Sequence, residues 1–328
     1  MFKQTLKTMA MVMILGAMAA CVPVSQPDNT LPTDQNTEQA TGNLDVFTSD
    51  VQGFDTHSYY YDTGSEVVVF GAQFTPGLAQ QAIDHIQAQT DSPIRYLVIT
   101  HPNPDKFNGA TAFQAIGAQV VASQATAQAM PAVHDYKKYY FVQIAGAFTD
   151  DNYPTLPTID ITFDQSMDLD LESGSVTLST LRNSGVSSTQ TVGWIESQRS
   201  LIVGDLVHHK AHAWLEGAIQ NGAPAPNLDA WKQALNELLA FENATVYGGR
   251  GQSAPVQEAV AAQTQYLNDI DALVRQYVAD LGERRSELQS DQAPQHHEAL
   301  TQQIAQAFPD YTLPYMVQYS IYGLLSLY

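Results

Sequence analysis

The polar residues best placed to do chemistry lie in the stretch VITHPNPDKFNG, residues 98–109. His101, Asn103, Asp105 and Lys106 follow directly on a short apolar run. Imidazole nitrogens and carboxylate oxygens are ligands for zinc and harder divalent cations, and a metal-bound water is a strong nucleophile at neutral pH. A protonated lysine has no lone pair to give a metal. The stretch therefore resembles a metal site in which one residue, Lys106, cannot act as a ligand and would repel the metal ion.

Two later loops carry further candidate groups. Arg250 stands among glycines in YGGRG, and the segment GDLVHHKAHAWL contains Asp205 directly after its first glycine. With His101 and Asp105, Asp205 forms our set of candidate catalytic residues. Four residues of the same segment are candidates for the wall of a cleft: His208, His209, His212 and Trp214. Solvated loop residues, or simple packing of an amphipathic loop, are the alternative interpretations.

Each of these loops follows a predicted strand, which is where α/β proteins place functional side chains. Residues 94–100 are mostly apolar or β-branched and lead directly into His101, and a hairpin over 191–205 ends at Asp205. Elsewhere the pattern predicts helices over 76–90, 109–118 and 229–241 and from residue 256 onward. It also predicts a hairpin over 58–74, strands over 119–126 and 244–251, and two antiparallel strands over 161–183.

In their order and spacing these motifs resemble those of the metallo-β-lactamase superfamily. The resemblance covers residues 44–252 and implies an α/β fold, an αββα sandwich over 44–255. A HAWL element after the Gly-Asp motif is similar to one group of the superfamily that has a helical C-terminus. It implies a helical extension over 256–328 packed on the sandwich. The superfamily is hydrolytic and usually holds one or two metal ions, mostly zinc.

The resemblance also implies a set of ligand positions, and most of them are substituted here. Its first motif is His-x-His-x-Asp-His, and its last is Gly-His. His101, Asp105 and Asp205 match ligands, whereas Asn103, Lys106 and Arg250 stand where histidines are expected. The loop that should supply a further histidine, residues 181–189, contains no His, Cys, Asp or Glu, and Gly71 replaces an early-strand aspartate.

Two basic side chains thus replace metal ligands next to two carboxylates. We expect Lys106 and Arg250 to balance Asp105 and Asp205 as ion pairs, because a guanidinium can grip a carboxylate through two hydrogen bonds. This predicts a protein that has no metal cofactor. It would bind a small molecule or a protein, or act as a scaffold, through the cleft where the superfamily has its active site.

The alternative is a hydrolase with a rebuilt site. One ion, zinc or another divalent cation, would be held by His101, Asp105 and Asp205. A hydrolase without a metal would need a nucleophile such as Ser184 or Ser187, although no nucleophile-elbow motif accompanies either serine.

The N-terminus has the charged, apolar and small-residue zones of a secretory signal, and the apolar run 9–20 is too short to span a bilayer. It ends at Cys21, the only cysteine, in GAMAAC, which resembles a bacterial lipobox. We expect a lipoprotein signal over 1–21, lipidation of Cys21 and a flexible tether over 22–43. The resemblance implies an anchor in the outer membrane, facing the periplasm; a cleaved signal with an incidental cysteine is the alternative.

Composition disfavours nucleic acid as a partner. The chain has 34 acidic against 14 basic residues and a net charge of −20. A patch of His134, Lys137 and Lys138 before three aromatic residues is the local exception and could meet an anionic partner. His85 and the pair His296–His297 are expected on solvated helix surfaces.

Overall fold

The computed structural model describes residues 42–328. The expected signal sequence, Cys21 and residues 22–41 of the expected tether lie outside this range. The last residue of that tether, Asn43, begins the first strand.

The first sheet pairs six strands in their order along the chain. β1 and β2 form an antiparallel pair, β2 pairs antiparallel with β3, and the strands from β3 to β6 run parallel. The strands are β1 (Asn43–Thr48), β2 (His57–Asp62), β3 (Val67–Phe70), β4 (Ile94–Ile99), β5 (Gln119–Ser123) and β6 (Ile161–Phe163).

The second sheet pairs six later strands in the order β14-β13-β10-β9-β8-β7. Its β10 and β13 run parallel, and its other pairs are antiparallel. The strands are β7 (Ser166–Asp168), β8 (Thr177–Thr180), β9 (Thr191–Ile195), β10 (Ser200–Gly204), β13 (Thr245–Gly248) and β14 (Ala254–Pro255). A small separate hairpin joins β11 (Ala218–Gln220) to β12 (Ala223–Ala225).

Helices cover the outer faces of both sheets. They are α1 (Pro76–Gln89), α2 (Pro104–Phe107), α3 (Ala110–Ala115), α4 (Gln124–Tyr139), α5 (Leu228–Glu237), α6 (Val256–Leu281), α7 (Ala293–Ala307) and α8 (Tyr315–Leu325). Short 3₁₀ turns lie at Val51–Gly53, Glu196–Gln198, Leu238–Ala240 and Gly282–Gln289, and a π-helical turn follows α4 at Tyr140–Ile144.

The apolar core has three layers because each strand places alternate side chains on opposite faces. Between the sheets, residues such as Phe70 and Val98 meet Leu178 and Ile202. Outside the first sheet, neighbouring strand residues pack on α1, α3 and α4. Outside the second sheet, a larger cluster joins the strands to α5, α6, α7 and α8. The architecture is the expected αββα sandwich, and the helices after residue 255 pack on its second sheet.

Two sequence predictions about elements need correction. The segment 161–183 is not one antiparallel pair: β6 joins the first sheet, and only β7 and β8 pair with each other in the second. The strand expected over 119–126 stops at Ser123, whose side chain accepts a hydrogen bond from Thr126 N and caps α4. Helix α4 was not predicted, because its residues are mostly small and polar and include Pro131.

Several polar side chains expected on the surface are buried instead. His134 and Lys137 face inward from α4, and His134 bonds to the carbonyl of Pro154. His296 and His297 on α7 are also buried, and His85 is half-buried against Phe47. The expected basic patch therefore leaves only its third member, Lys138, near solvent, where it pairs with Asp150. Among the helices of residues 42–328, none combines the length and apolarity of a membrane span.

Candidate functional site

The candidate residues meet at one end of the sandwich, where strands of both sheets finish. β4 ends two residues before His101, and the following turn leads through Asn103 into the short helix α2, which carries Asp105 and Lys106. In the other sheet, β10 ends directly before Asp205. The adjacent parallel strand β13 ends two residues before Arg250. Parallel neighbours end at the same sheet edge, which is why these sequence-distant groups come together.

Glycine at position 249 is required by this meeting of strands. A Cβ atom there would lie 1.6 Å from Asp205 Oδ1, well inside van der Waals contact. The glycine residues of the loop after β13 thus let the backbone pass directly beside the Asp205 carboxylate. The next side chain, Arg250, is thereby placed next to that carboxylate.

Two carboxylates and two cations form a closed buried cluster, the carboxylate–cation cluster of Asp105, Lys106, Asp205 and Arg250. Lys106 Nζ lies 2.7 Å from Asp105 Oδ2 and 2.8 Å from Asp205 Oδ1. Arg250 Nη2 lies 3.1 Å from Asp105 Oδ2, and its Nη1 lies 2.9 Å from Asp205 Oδ2. Each cation therefore bridges both carboxylates. This differs from the expectation only in that the pairs are shared and not separate.

Neighbouring groups complete the hydrogen bonding of Arg250. Its Nε donates to the carbonyl of Phe54 at 2.6 Å, and its Nη2 donates to Thr56 Oγ1 at 2.7 Å. The same threonine oxygen lies 3.1 Å from Asp105 Oδ2. The loop before β2 thus fixes the guanidinium in one orientation. Thr56 belongs to no recognisable motif, and the sequence therefore gave no indication that it is part of the site.

The electrostatics of the cluster favour charged carboxylates despite their burial. Burial alone raises the pKa of Asp205, but Lys106 and Arg250 outweigh it and hold that pKa well below its usual range. Burial also raises the pKa of Asp105, but Lys106 and Arg250 outweigh this effect, and the pKa is lowered. For Arg250, the two carboxylates outweigh burial and raise the pKa. The cluster is therefore four fixed charges that sum to zero.

Three histidines lie beside the cluster, and the pKa values of two of them, His208 and His57, are lowered. His101 is fully buried; its Nδ1 lies 3.0 Å from Thr100 Oγ1, and its Nε2 lies 3.5 Å from Asp205 Oδ2. Burial lowers the pKa of His208 to about 3. Burial, with the positive charges of Arg250 and Lys106, lowers the pKa of His57 to about 4.

Above the cluster lies a narrow cleft with a free volume of about 30 Å³. Four aromatic side chains, a proline and a methionine line it together with polar groups of the site: Phe54, Phe74, Asn103, Pro104, Asp105, Lys137, Phe141, Asp205, Trp214, Arg250 and Met316. Phe54 and Phe74 meet edge to face with centroids 5.0 Å apart, and Phe141 is presented by the π-helical turn after α4. Such turns often occur at functional sites.

Of the four residues expected to border the cleft, only Trp214 is on its wall. His208 and His209 are buried beside it, and the backbone N–H of His208 donates to Gln263 of α6. His212 lies behind the wall with its Nδ1 3.1 Å from Tyr266 Oη, in a cluster of aromatic rings. The packing of His212 is that of an amphipathic loop, which was the alternative to a role in lining the cleft. Ser184 and Ser187 are not among the described residues that line the cleft.

A sequence-family model for the metallo-beta-lactamase superfamily matches residues 51–250. The chain belongs to the metallo-beta-lactamase superfamily. The matched range begins just before Phe54 and ends at Arg250, so it contains all four residues of the carboxylate–cation cluster.

Solved structures of the superfamily agree with the fold. The metallo-beta-lactamase from Pontibacter korlensis is 18% identical, with a TM-score of 0.52, and the match covers 71% of this chain and 98% of that one. The metallo-beta-lactamase FIM-1 from Pseudomonas aeruginosa, in its mono-zinc form, is 17% identical with a TM-score of 0.50, and the match covers 75% and 98%. No curated protein matches the chain.

The superfamily usually binds zinc, and the residues at this site do not fit that group. Lys106 and Arg250 already contact both carboxylates that would face a metal, and each carries a positive charge without a lone pair. Asn103, the residue directly before α2, lines the cleft. Within residues 42–328, no group of three or more His, Cys, Asp and Glu is arranged to hold a metal ion. A single ion at His101, Asp105 and Asp205 would require both cations to leave the carboxylates.

Proposed function

We propose that this superfamily member is a pseudoenzyme that binds a ligand in its cleft without a metal. The contacts of Lys106 carry the proposal: its ammonium lies within 2.8 Å of both aspartates, at the place where a dication would have to sit. Two like charges about 4 Å apart repel by roughly 4 kcal/mol per unit pair at an effective dielectric constant near 20. A divalent ion would meet this repulsion from both Lys106 and Arg250.

The cleft supports a binding role. A concave site with mostly apolar walls and a few converging polar groups is the usual form of a small-molecule site. The apolar walls come from six separate segments: the loop around Phe54, the loop carrying Phe74, the start of α2 with Pro104, the turn after α4, the loop carrying Trp214 and helix α8 with Met316. The charged side chains that line the cleft are all in ion pairs.

Metal analysis tests the proposal. The full chain is purified without chelators, offered zinc, manganese and iron(II) in turn, desalted and analysed by inductively coupled plasma mass spectrometry. We expect no stoichiometric uptake of any of the three metals and the same melting transition before and after treatment with EDTA, because removal of a metal that binds the folded state would lower the melting temperature. One tightly held equivalent that raises the melting temperature would instead support a hydrolase with one metal at His101, Asp105 and Asp205.

We further propose that the protein works as a lipid-anchored protein of the bacterial envelope, at the outer membrane and facing the periplasm. The sequence GAMAAC with Cys21 supports this, followed by a polar segment that could act as a tether. Several acyl chains on one cysteine anchor a protein stably. Processing should be blocked by globomycin, and Cys21→Ser should move the protein from the membrane fraction to the soluble fraction. Membrane retention of the Ser variant would contradict the anchor.

A further inference from the structure

A second depression, the polar groove, lies beside the cleft and has more room. Its free volume is about 350 Å³, against about 30 Å³ in the cleft. Small-molecule sites usually have about 300–1,000 Å³. The groove shares no lining residue with the cleft, and its polar lining includes Thr48, Asp55, Lys210, Gln252, Asp310 and Thr312. It is therefore a separate candidate site with space for a small molecule.

The polar groove forms where the segment between α7 and α8 docks on the sandwich. Thr312 pairs with Ala211 in an isolated parallel bridge, and its backbone N–H donates to the carbonyl of Lys210 at 3.0 Å. The hydroxyl of Tyr315, at the start of α8, donates to Asp55 Oδ2 at 2.5 Å. The walls thus come both from the part of the chain that the superfamily model matches and from the C-terminal helices. Ligand sites are common where two such units meet.

Several residues that line the groove have a left-handed backbone conformation. The φ angle is 50° at Asp55, 60° at Lys210 and 60° at Leu313, and it is 80° at Gly251. Only glycine adopts this conformation readily, and other residues lose free energy in it. Among residues 42–328, three of the eight residues other than glycine with positive φ line this groove. Because strained residues cluster at ligand-binding sites, this concentration favours a binding role for the groove.

The charged side chains of the groove have no ionic partners, unlike those of the carboxylate–cation cluster. In the described part of the chain, no salt bridge involves Asp55, Lys210 or Asp310. Lys210 Nζ lies 5.8 Å from the ring centroid of Tyr311, and Asp55 is bonded to the Tyr315 hydroxyl, so both neighbours are uncharged. A ligand with one charge would be attracted by one of these groups and repelled by another. A ligand that carries both charges can pair with all three.

The remaining polar groups of the lining are uncharged. Burial, with the positive charges of Arg250 and Lys106, lowers the pKa of His57 to about 4, so its imidazole is neutral at pH 7. Thr48, Gln252 and Thr312 are exposed, and their hydroxyl and amide groups can both donate and accept hydrogen bonds. Such groups suit the amide of a small peptide.

From these observations we propose that the polar groove binds a small zwitterion, either a free amino acid or a dipeptide. The ammonium of Lys210 pairs with the carboxylate of the ligand. The carboxylates of Asp55 and Asp310 pair with the ligand's own ammonium, whose three N–H groups can serve two acceptors. This site is distinct from the cleft, so the inference does not rest on the proposed function, and its failure would leave the account of the cleft unchanged.

Three probes of similar size test the requirement for both charges. Glycylglycine carries both, glycylglycinamide carries only the positive charge, and N-acetylglycylglycine carries only the negative charge. Nuclear magnetic resonance titration of the isotope-labelled full chain, followed at the amide signals of Gly251 and Gln252, gives the affinity and the place of binding. Glycylglycine should bind about fivefold more tightly than either singly charged probe, which is the upper end of what a solvent-exposed ion pair contributes. Equal affinities, tighter binding of a singly charged probe or no response to any probe would overturn the inference.

Glycine as a fourth probe distinguishes the two sources of the zwitterion. An affinity equal to that of glycylglycine would identify a free amino acid, and a weaker affinity would identify a dipeptide.

Two variants assign the charges of the groove. Lys210→Gln should weaken glycylglycine binding about fivefold and leave glycylglycinamide binding no weaker, because only the partner of the carboxylate is lost. Asp310→Asn should weaken glycylglycine binding and leave N-acetylglycylglycine binding no weaker. Lys232→Gln, at a lysine of α5 that does not line the groove, is the matched control and should change nothing. Glycylglycine binding that is unaffected by Lys210→Gln, or that falls equally in the control, would contradict the assignment.

Discussion

The molecule buries ionisable groups in two regions by opposite means. In the carboxylate–cation cluster, four charged side chains are at most 9% exposed and neutralise one another through contacts of 2.7 to 3.1 Å. Two other buried histidines carry no charge: His297 on α7, and His212 in the loop after β10, which packs on the C-terminal helices. Burial lowers the pKa of each to about 4, and for His297 the neighbouring His296 adds to the effect.

The comparison shows two ways in which an ionisable side chain can be buried: its charge is paired with an opposite charge, or the side chain stays uncharged. The two ways contribute to the free energy of unfolding over different pH ranges. Asp105 and Asp205 have lowered pKa values in the fold, so their contribution is present above the unfolded value near 4 and is lost as the pH falls through the folded values. The two histidines have folded pKa values below the unfolded value of about 6.5. Their contribution is complete above that pH and declines as the pH falls towards 4.

Removal of one cation from the cluster should have the largest effect. Lys106→Met keeps most of the side-chain volume but leaves both aspartates short of a partner, and the free energy of unfolding should fall by about 3–5 kcal/mol. Urea denaturation followed by circular dichroism measures it. Because burial then raises the pKa of the aspartates in the variant, the loss should be no smaller at pH 8 than at pH 5. A variant as stable as wild type would show that compensation by Lys106 is unimportant.

A smaller effect is expected at the neutral histidines. In wild type the free energy of unfolding should decline from pH 6.5 towards pH 4, with each such histidine contributing up to about 1.4 kcal/mol per pH unit. His297→Leu removes one group that must stay neutral and should flatten this part of the profile. Urea denaturation at half-unit pH intervals tests it, with pH 7–8, where both proteins should show the same slope, as the internal control. An unchanged slope below pH 6.5 would mean that His297 is protonated in the fold.

The smallest effect is expected at a surface ion pair. Lys232 Nζ lies 2.9 Å from Asp229 Oδ1 on α5, at a distance like those of the cluster, but the aspartate side chain is 85% exposed. Lys232→Ala should change the free energy of unfolding by less than about 1 kcal/mol, because solvent and salt screen the pair. A loss as large as that of Lys106→Met in the same urea assay would mean that burial does not distinguish the two pairs.

Much of the fold could be predicted because local patterns encode it. The apolar run before His101, the hairpin that ends at Asp205 and the three- and four-residue spacing after Val256 each gave an element that the structure contains. Helix α4 escaped prediction, since its small polar residues and internal proline give a weak periodic signal. β6 and β7 were merged because nothing local shows that the chain changes sheets between them.

The site could be predicted in part, for a related reason. The paired charges at Lys106 and Arg250 were visible because each replaces a residue in a recognisable motif. Lys137 was not, because its partner Glu216 is 79 positions away in the sequence and their pairing depends on tertiary packing. The cleft walls also bring together residues such as Phe54, Phe74 and Met316 that belong to no shared motif.

The central claim is that two cations stand where a metal would be held, and zinc titration of a double variant tests it most directly. Lys106→His with Arg250→His restores two imidazoles beside Asp105 and Asp205. We predict that this variant is less stable than wild type without zinc, binds one zinc ion by calorimetry and regains about 2.7 kcal/mol when free zinc is roughly 100 times Kd, while wild type does not respond. Zinc binding by wild type with similar affinity and a similar gain in stability would contradict the account.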